Sequence, residues 1–427
     1  MLFNLAIAGT SVKKIPLGEL CLEEPCYGTS ASAIERTDDK QPKYIRITDY
    51  DDFGIEENHE YMTAEFYSSK HLLQPNDILF ARTGGTVGKT YFYDGKIGDA
   101  VFAGYCIRFR FDESKVIPKF VYWYTKTNAY EKWVNGIQRP SGQPNINKEE
   151  YKSFEIILPS ITIQQKIVEQ MDASFLSWKD KSYKVDDILS SMSSFLFEKL
   201  NLSTIDYEER MCCAITLSNI IEDKTFSAEY YHPERMAALN ALKNNSSMIT
   251  DRLSSVVTFN RKTVSTADNS NYLGLAGVES HTGELSGVQE EASGQAFAYE
   301  QGDILYGRLR PYLNKVIVAE KSGICSTEFH VMRVIDTSAV LPEYVAAILR
   351  SDLTLSQTKH MMTGNTHPRI SNDDIRNLYI PVPDITVQKE IVDELIKRRM
   401  EARRLKNEAD QEWQEARKEF EKELLGE

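Results

Sequence analysis

Residues Thr83–Thr90 read TGGTVGKT and close on Gly88-Lys89-Thr90. A glycine-rich turn followed by lysine and a hydroxyl residue can cradle nucleotide phosphates. Backbone amides face the phosphate oxygens, the lysine neutralises them, and the hydroxyl takes a magnesium ion. This stretch misses two requirements of that chemistry. Thr83 stands where the pattern GxxxxGK[ST] opens on glycine. After Thr90 the residues YFYDG alternate as a strand and stop at an Asp-Gly turn, where a phosphate loop must open a helix. With DILFAR (77–82) ahead of it, the segment reads as a β-hairpin carrying Arg82, Thr83 and Lys89. A P-loop-type ATP-binding protein is the competing reading. A second copy of the segment, GRLRPYLNKVIV (307–318), argues against it, because it has no GK[ST] at all. What the copies share is positive charge: Arg308, Arg310 and Lys315, with Tyr312 between them, match Arg82 and Lys89.

Such residues suit another polyanion. Arginine pairs with guanine edges, Asn and Gln with adenine, and any of them with backbone phosphates. Three further loops offer the same types. YGTSASA (27–33) supplies Tyr27, Thr29 and Ser30; RPSGQPNIN (139–147) supplies Arg139, Ser141, Gln143 and Asn145; TGNTHPRIS (363–371) supplies Asn365, His367 and Arg369. Taken singly, each of these reads first as a turn or cap residue, ahead of a base contact. The net charge of −13 argues against nucleic acid as a partner, but charge is summed over all surfaces, and the two hairpin loops are locally positive.

The hairpins belong to a duplication. QPNDILFAR (74–82) faces EQGDILYGR (300–308), and GYCIRFRF (104–111) faces FHVMRVID (329–336). IPKFVYWY, starting at Ile117, faces LPEYVAAIL, starting at Leu341, and LPSITIQQKIV (158–168) faces VPDITVQKEIV (382–392). Four collinear matches at one nearly constant spacing mark tandem copies, and the period is too long for a solenoid. Each copy predicts strands at runs such as YIRITDY, DILFAR, TYFYDG, GYCIRFRF and FEIILP, and a helix opening at Pro118 or Pro342. A long helix then follows. Ile167, Met171, Ser174, Trp178, Lys181, Val185, Ile188, Met192 and Phe195 make a heptad seam. Ile391, Leu395, Ala402, Leu405 and Ala409 repeat it, shifting to Trp413, Ala416, Phe420 and Leu424. A helix of roughly 55 Å needs a partner helix. If the two pack together, connectivity makes them antiparallel, a spacer with one mixed domain at each end.

Other function classes lack their residues. Six scattered cysteines without a CxxC pair, and seven dispersed histidines, predict free thiols in a reducing cytosol and no metal site. No apolar run approaches a membrane span, and no basic region precedes the short apolar N-terminal patch, so neither membrane nor secretion is expected. There is no [ND]PP[YF], HExxH or GxSxG.

The ordered set CYGTSAS, YIRITD, PNDILFARTGGTVGKTYFY, GYCIRFRF, SGQPNINKEEYKSFEIILP and ITIQQKIV resembles the DNA-specificity (S) subunits of type I restriction–modification systems. The second copy does so through QGDILYGRLRPYLNK, GNTHPRISNDDI and IPVPDITVQKEIV. The resemblance spans nearly the whole chain; residues 201–250 match poorly. It implies an α+β fold: two tandem mixed α/β target-recognition domains separated by two long antiparallel coiled-coil-like helices. The domains would be 1–160 and 206–384, the spacer helices 161–205 and 385–427. It implies a non-catalytic subunit of a prokaryotic, cytoplasmic complex. The partners would be double-stranded DNA with a bipartite target, two methyltransferase (M) subunits, and restriction (R) subunits. S-adenosylmethionine, ATP and Mg would belong to those partners, with no cofactor on this chain. A specificity subunit of a type II-like system with fused cleavage and methylation fits the same residues.

Overall fold

The computed structural model describes residues 14–425 except 57, 138–143, 210, 211, 213, 224, 244–248, 267–271, 293 and 365. Arg139, Ser141, Gln143 and Asn365 lie outside the described residues. Two compact units divide the chain: the first runs to Lys181 and takes in the segment from Asn407 onward, and the second is Ser182–Lys406.

The first unit is built on an antiparallel four-stranded sheet ordered Cys26–Tyr27, Cys106–Phe109, Asp77–Ala81, Thr90–Tyr93. The second unit repeats that order with Val257–Asn260, Phe329–Val334, Ile304–Gly307 and Val316–Val318. Each unit adds a parallel pair, Lys43–Ile45 with Ala100–Phe102 and Tyr272–Leu273 with Gly323–Ser326. Each also pairs an entering strand with an exiting one, Lys14–Pro16 with Glu155–Ile157 and Ile249–Arg252 with Tyr379–Val382. The strands predicted at DILFAR, TYFYDG, GYCIRFRF and FEIILP are present, whereas YIRITDY is strand only to Ile45 and then turns; helices open at Pro118 and Pro342 as the N1 proline predicts. The poorly matching stretch contains helices Leu217–Asp223 and Pro233–Lys243, the latter burying Ala238 and Leu242 in the second core.

A buried carboxylate pairs with an arginine at the start of the central strand in each copy. Asp77 and Asp303 are fully buried. Each carboxylate accepts a two-pronged bond from an arginine on the neighbouring strand: Arg110 at 2.8 and 2.8 Å, Arg333 at 2.7 and 2.9 Å. The same carboxylates accept the amides of Gln74 (2.7 Å) and Glu300 (2.8 Å), which closes the preceding turn.

The long helices are Ile161–Lys199 and Ile385–Leu425, 39 and 41 residues, each roughly 60 Å. Their segments run antiparallel within each unit. In the first, Lys166 meets Glu423 at 2.5 Å, Ser177 meets Glu412 at 3.0 Å, and Lys181 also meets Glu412. In the second, Lys199 meets Glu390 at 3.3 Å and Arg398 meets Ser191 at 3.0 Å. The predicted seam residues Ile167, Met171, Ile391, Leu395, Ala402, Ala409, Trp413, Phe420 and Leu424 are buried. Phe420 stacks on Phe120 at 5.7 Å and Trp178 on Phe53 at 3.9 Å, so these faces pack on the domain as well as on the partner helix.

Gln164 and Gln388 fix how each helix leaves its domain. They are 1% and 0% exposed. Gln164 Oε1 accepts the Ile117 amide at 2.9 Å and its Nε2 donates to Pro159 O at 2.9 Å; Gln388 does the same with Leu341 (3.0 Å) and Pro383 (2.8 Å). Gln164→Leu and Gln388→Leu each strand a buried amide and a buried carbonyl, so each is expected to lower unfolding free energy by about 3 kcal/mol in chemical denaturation. A loss below ~0.5 kcal/mol would show that the clamp is dispensable.

Candidate nucleic-acid interface

The hairpin arm and the polar loop of each copy are sewn together by the same backbone bonds. In the first unit the Arg82 amide donates to Tyr105 O (2.9 Å), Ile146 N to Arg82 O (2.9 Å), and Gly84 N to Pro144 O (3.1 Å). In the second, Arg308 N donates to Glu328 O (2.8 Å), Ile370 N to Arg308 O (3.1 Å), and Arg310 N to Pro368 O (2.7 Å). Isolated bridges Thr83–Asn145 and Leu309–Arg369 complete the match. The backbone therefore brings Arg82, Thr83 and Asn145 together, and likewise Arg308, Arg310 and Arg369.

Side chains differ on this shared frame. Arg82 lies over the Tyr27 ring at 4.8 Å, and Tyr27 Oη accepts the Lys148 amide at 3.2 Å, so the first polar loop joins the same patch. Thr29 is buried, its hydroxyl donating to Phe66 O at 3.0 Å; Ser30 is exposed. In the second unit Arg369 grips Glu328 with bonds of 2.8 and 3.0 Å, which holds that carboxyl below its usual range, and Arg308 stands 4.0 Å from the same group. Arg310 adopts φ 49°, left-handed, where the first copy has Gly84 at φ 75°. Tyr312 and His367 are exposed. In Arg82, Arg308 and Arg310 alike, Nε is buried without a hydrogen-bond partner.

The two lysines turn elsewhere. Lys89 sits 3.7 Å from Asp52 and lines a cavity, and Lys315 Nζ donates to Leu275 O at 2.7 Å. Both occupy equivalent positions, their carbonyls accepting Ala81 N and Gly307 N at 2.8 Å, and strand alternation turns them away from the arginines. Sequence reasoning missed Arg261, His330 and Asn372, which line a small cavity with Arg308. Burial, then the Arg308 charge, pushes the His330 pKa down to about 4, so the imidazole stays neutral near pH 7. The only sequence signal for Arg261 was its place after the strand matching the one that ends at Tyr27.

One group has metal-ligand residue types. His232, Glu234 and His360 place ligand atoms within 4.8 Å of one another. The carboxylate is already engaged: Oε2 lies 2.7 Å from His360 Nε2 and 3.2 Å from Lys359 Nζ, and Ser356 reaches Oε1 at 3.3 Å. The two imidazoles stack at 3.4 Å, so their in-plane lone pairs do not converge. The arrangement suits a hydrogen-bonded network between two helices.

The sequence pattern of the type I restriction modification DNA specificity domain matches this chain twice, over residues 11–176 and 249–402. The chain belongs to that family. Among curated members, it is 25% identical over 285 residues to the type I restriction enzyme EcoDI specificity subunit of Escherichia coli, covering 64% of this chain and 61% of the relative. It is 29% identical over 115 residues to the HindI specificity subunit of Haemophilus influenzae, covering 26% and 25%. These matches thus span less than two thirds of either relative. Among solved structures, the type I S subunit from M. genitalium aligns over 99% of this chain and 98% of its own, with 12% identity and a TM-score of 0.49. A chain from a type I R-M system, described for its complex assembly and conformational transition, aligns over 96% of both with 14% identity and a TM-score of 0.49. As a member of the specificity family, the chain has its two matched segments on the two copies of the hairpin patch. No helix among the described residues is long and apolar enough to cross a membrane.

Because Arg310 holds a left-handed conformation that its counterpart fills with glycine, Arg310→Gly is expected to leave the unfolding midpoint unchanged or higher, while Arg310→Val lowers stability by about 1–2 kcal/mol. Thermal and denaturant unfolding of both variants checks this.

Proposed function

We propose that this chain is the non-catalytic DNA-reading subunit of a type I restriction–modification complex. Each copy reads one half of a bipartite double-stranded target. The long helices set the gap and dock two methyltransferase subunits. Restriction subunits, S-adenosylmethionine, ATP and Mg belong to the rest of a cytoplasmic assembly. The observation that carries this reading is the duplicated patch: one backbone frame presents Arg82, Tyr27 and Asn145 in one copy, and Arg308, Arg310 and Arg369 in the other. Two copies of one frame with unlike side chains suit two unlike half-sites. Family membership and the absence of a catalytic motif support the same reading.

Methylome sequencing of cells with and without the gene tests it, because it reads both half-sites and the gap together. Arg82→Ala is expected to relax or weaken methylation at one half-site only, and Arg308→Ala or Arg310→Gly at the other only. Loss of a good base contact corresponds to about 1–3 kcal/mol of discrimination. Equal disturbance of both half-sites by either substitution would sink the modular reading. Inserting one heptad between Val185 and Phe195, about 10 Å of helix, is expected to change the gap or abolish methylation. An unchanged gap would refute the spacer role.

A further inference from the structure

Each copy places a cation at the same point, buried as Lys126 in the first and part-buried as Arg350 in the second. Lys126 follows the helix Pro118–Tyr124, and Arg350 ends the matching helix Pro342–Arg350. Lys126 Nζ faces the carbonyl of Thr90 at 3.4 Å; Arg350 Nη1 donates to the carbonyl of Val316 at 2.8 Å. Thr90 and Val316 open equivalent strands of the two hairpins. The chemical identity of the cation changed between the copies while its target carbonyl did not. Charge at this point has been kept where most side chains diverged.

Each cation lines a cavity, about 710 Å³ in the first unit and about 320 Å³ in the second. The hairpin walls correspond. Gly88 and Asn314, both at positive φ, form the hairpin side. The second long helix contributes a guanidinium to each, Arg417 in the first and Arg399 in the second. Gly283, at φ 75°, lets Arg350 lie against the backbone, since a Cβ there would come within 2.6 Å of Nη1.

These cations are short of partners. Lys126 as a whole is 9% exposed, its ammonium making the long contact to Thr90 with the Tyr122 ring at 4.8 Å beneath it. The Nε atoms of Arg417 and Arg399 are buried and make no hydrogen bond. Burial and the charge of Arg399 lower the pKa of Arg350. Two guanidiniums beside an open cavity suit an anion. Surrounding acids limit which one. Asp52 pairs with Lys89 at 3.7 Å and Glu131 with Arg417 at 3.3 Å, and Asp410 lines the same cavity. Glu284 acts on both Arg350 and Arg399, and Asp352 lines the second cavity. A phosphate dianion would meet those carboxylates as well as the cations. A single carboxylate carries half that charge.

We infer that each copy holds a carboxylate-binding cavity, with Lys126 and Arg417 as the cationic pair in the first and Arg350 and Arg399 in the second. The first cavity shares Gly84, Lys89 and Pro144 with the hairpin patch, but the inference does not depend on the DNA-reading proposal.

The test is a titration of the full chain with ¹³C-labelled acetate at fixed ionic strength, followed by NMR of the carboxylate carbon. Near pH 7 the expected stoichiometry is two saturable sites per chain. Lys126→Met and Arg350→Met each remove one site and leave the other. The pH dependence separates the pair without any substitution. Burial, opposed by Asp52 and Asp51 and aided by Lys89 and Arg417, lowers the Lys126 pKa to about 8. Raising the pH past that value strips its proton, so the first site is lost while the arginine site persists. Fewer than two sites near pH 7, a stoichiometry that stays at two above Lys126 deprotonation, or phosphate binding as tightly as acetate, would each overturn the assignment.

Discussion

A buried side-chain amide governs the exit of each long helix. Gln164 binds one backbone donor and one backbone acceptor from its own domain, and Gln388 one donor and two acceptors, in a place that excludes water. Such groups are costly to leave unpaired, so the first turn of the helix has one low-energy setting against the domain. The aromatic face of the short helix, with Phe120 and Trp123, is then presented at a fixed angle to the seam. Without the clamp, the heptad stripe would specify that the helices pair but not how either one meets its domain.

The same division of labour runs through the hairpin patch. Backbone bonds hold the arm and the polar loop in one arrangement in both copies, so register does not depend on which side chains project from it. The buried carboxylates of Asp77 and Asp303, paired with Arg110 and Arg333, anchor the strand behind that arm. Side chains on the frame are thus free to diverge. One copy cushions its arginine on Tyr27; the other gathers arginines around Glu328.

Much of this fold was legible in the sequence because it rests on periodicity. Alternation gave the strands, heptads gave the helices, and a constant spacing gave the duplication. Direction was harder to read. Lys89 and Arg82 both belong to the hairpin, yet strand alternation sends them to different surroundings, one toward Asp52 and one toward Tyr27. Thr29 looked like a ligand-facing hydroxyl in a polar loop and is instead a buried tie to Phe66 O. Lys126 and Arg350 gave no signal, because a lone cation after a helix acquires meaning only when a carbonyl from a distant strand is folded onto it.

The compact units interleave along the chain, and this bears on synthesis. The first unit takes its last apolar layer, Trp413, Phe420 and Leu424, from a segment translated more than two hundred residues after Phe120 and Trp123. While the ribosome works through the second repeat, the earlier aromatic surface has no native cover. Nascent chains with such exposed surface are prone to aggregate, which makes this protein a natural client for a co-translational chaperone.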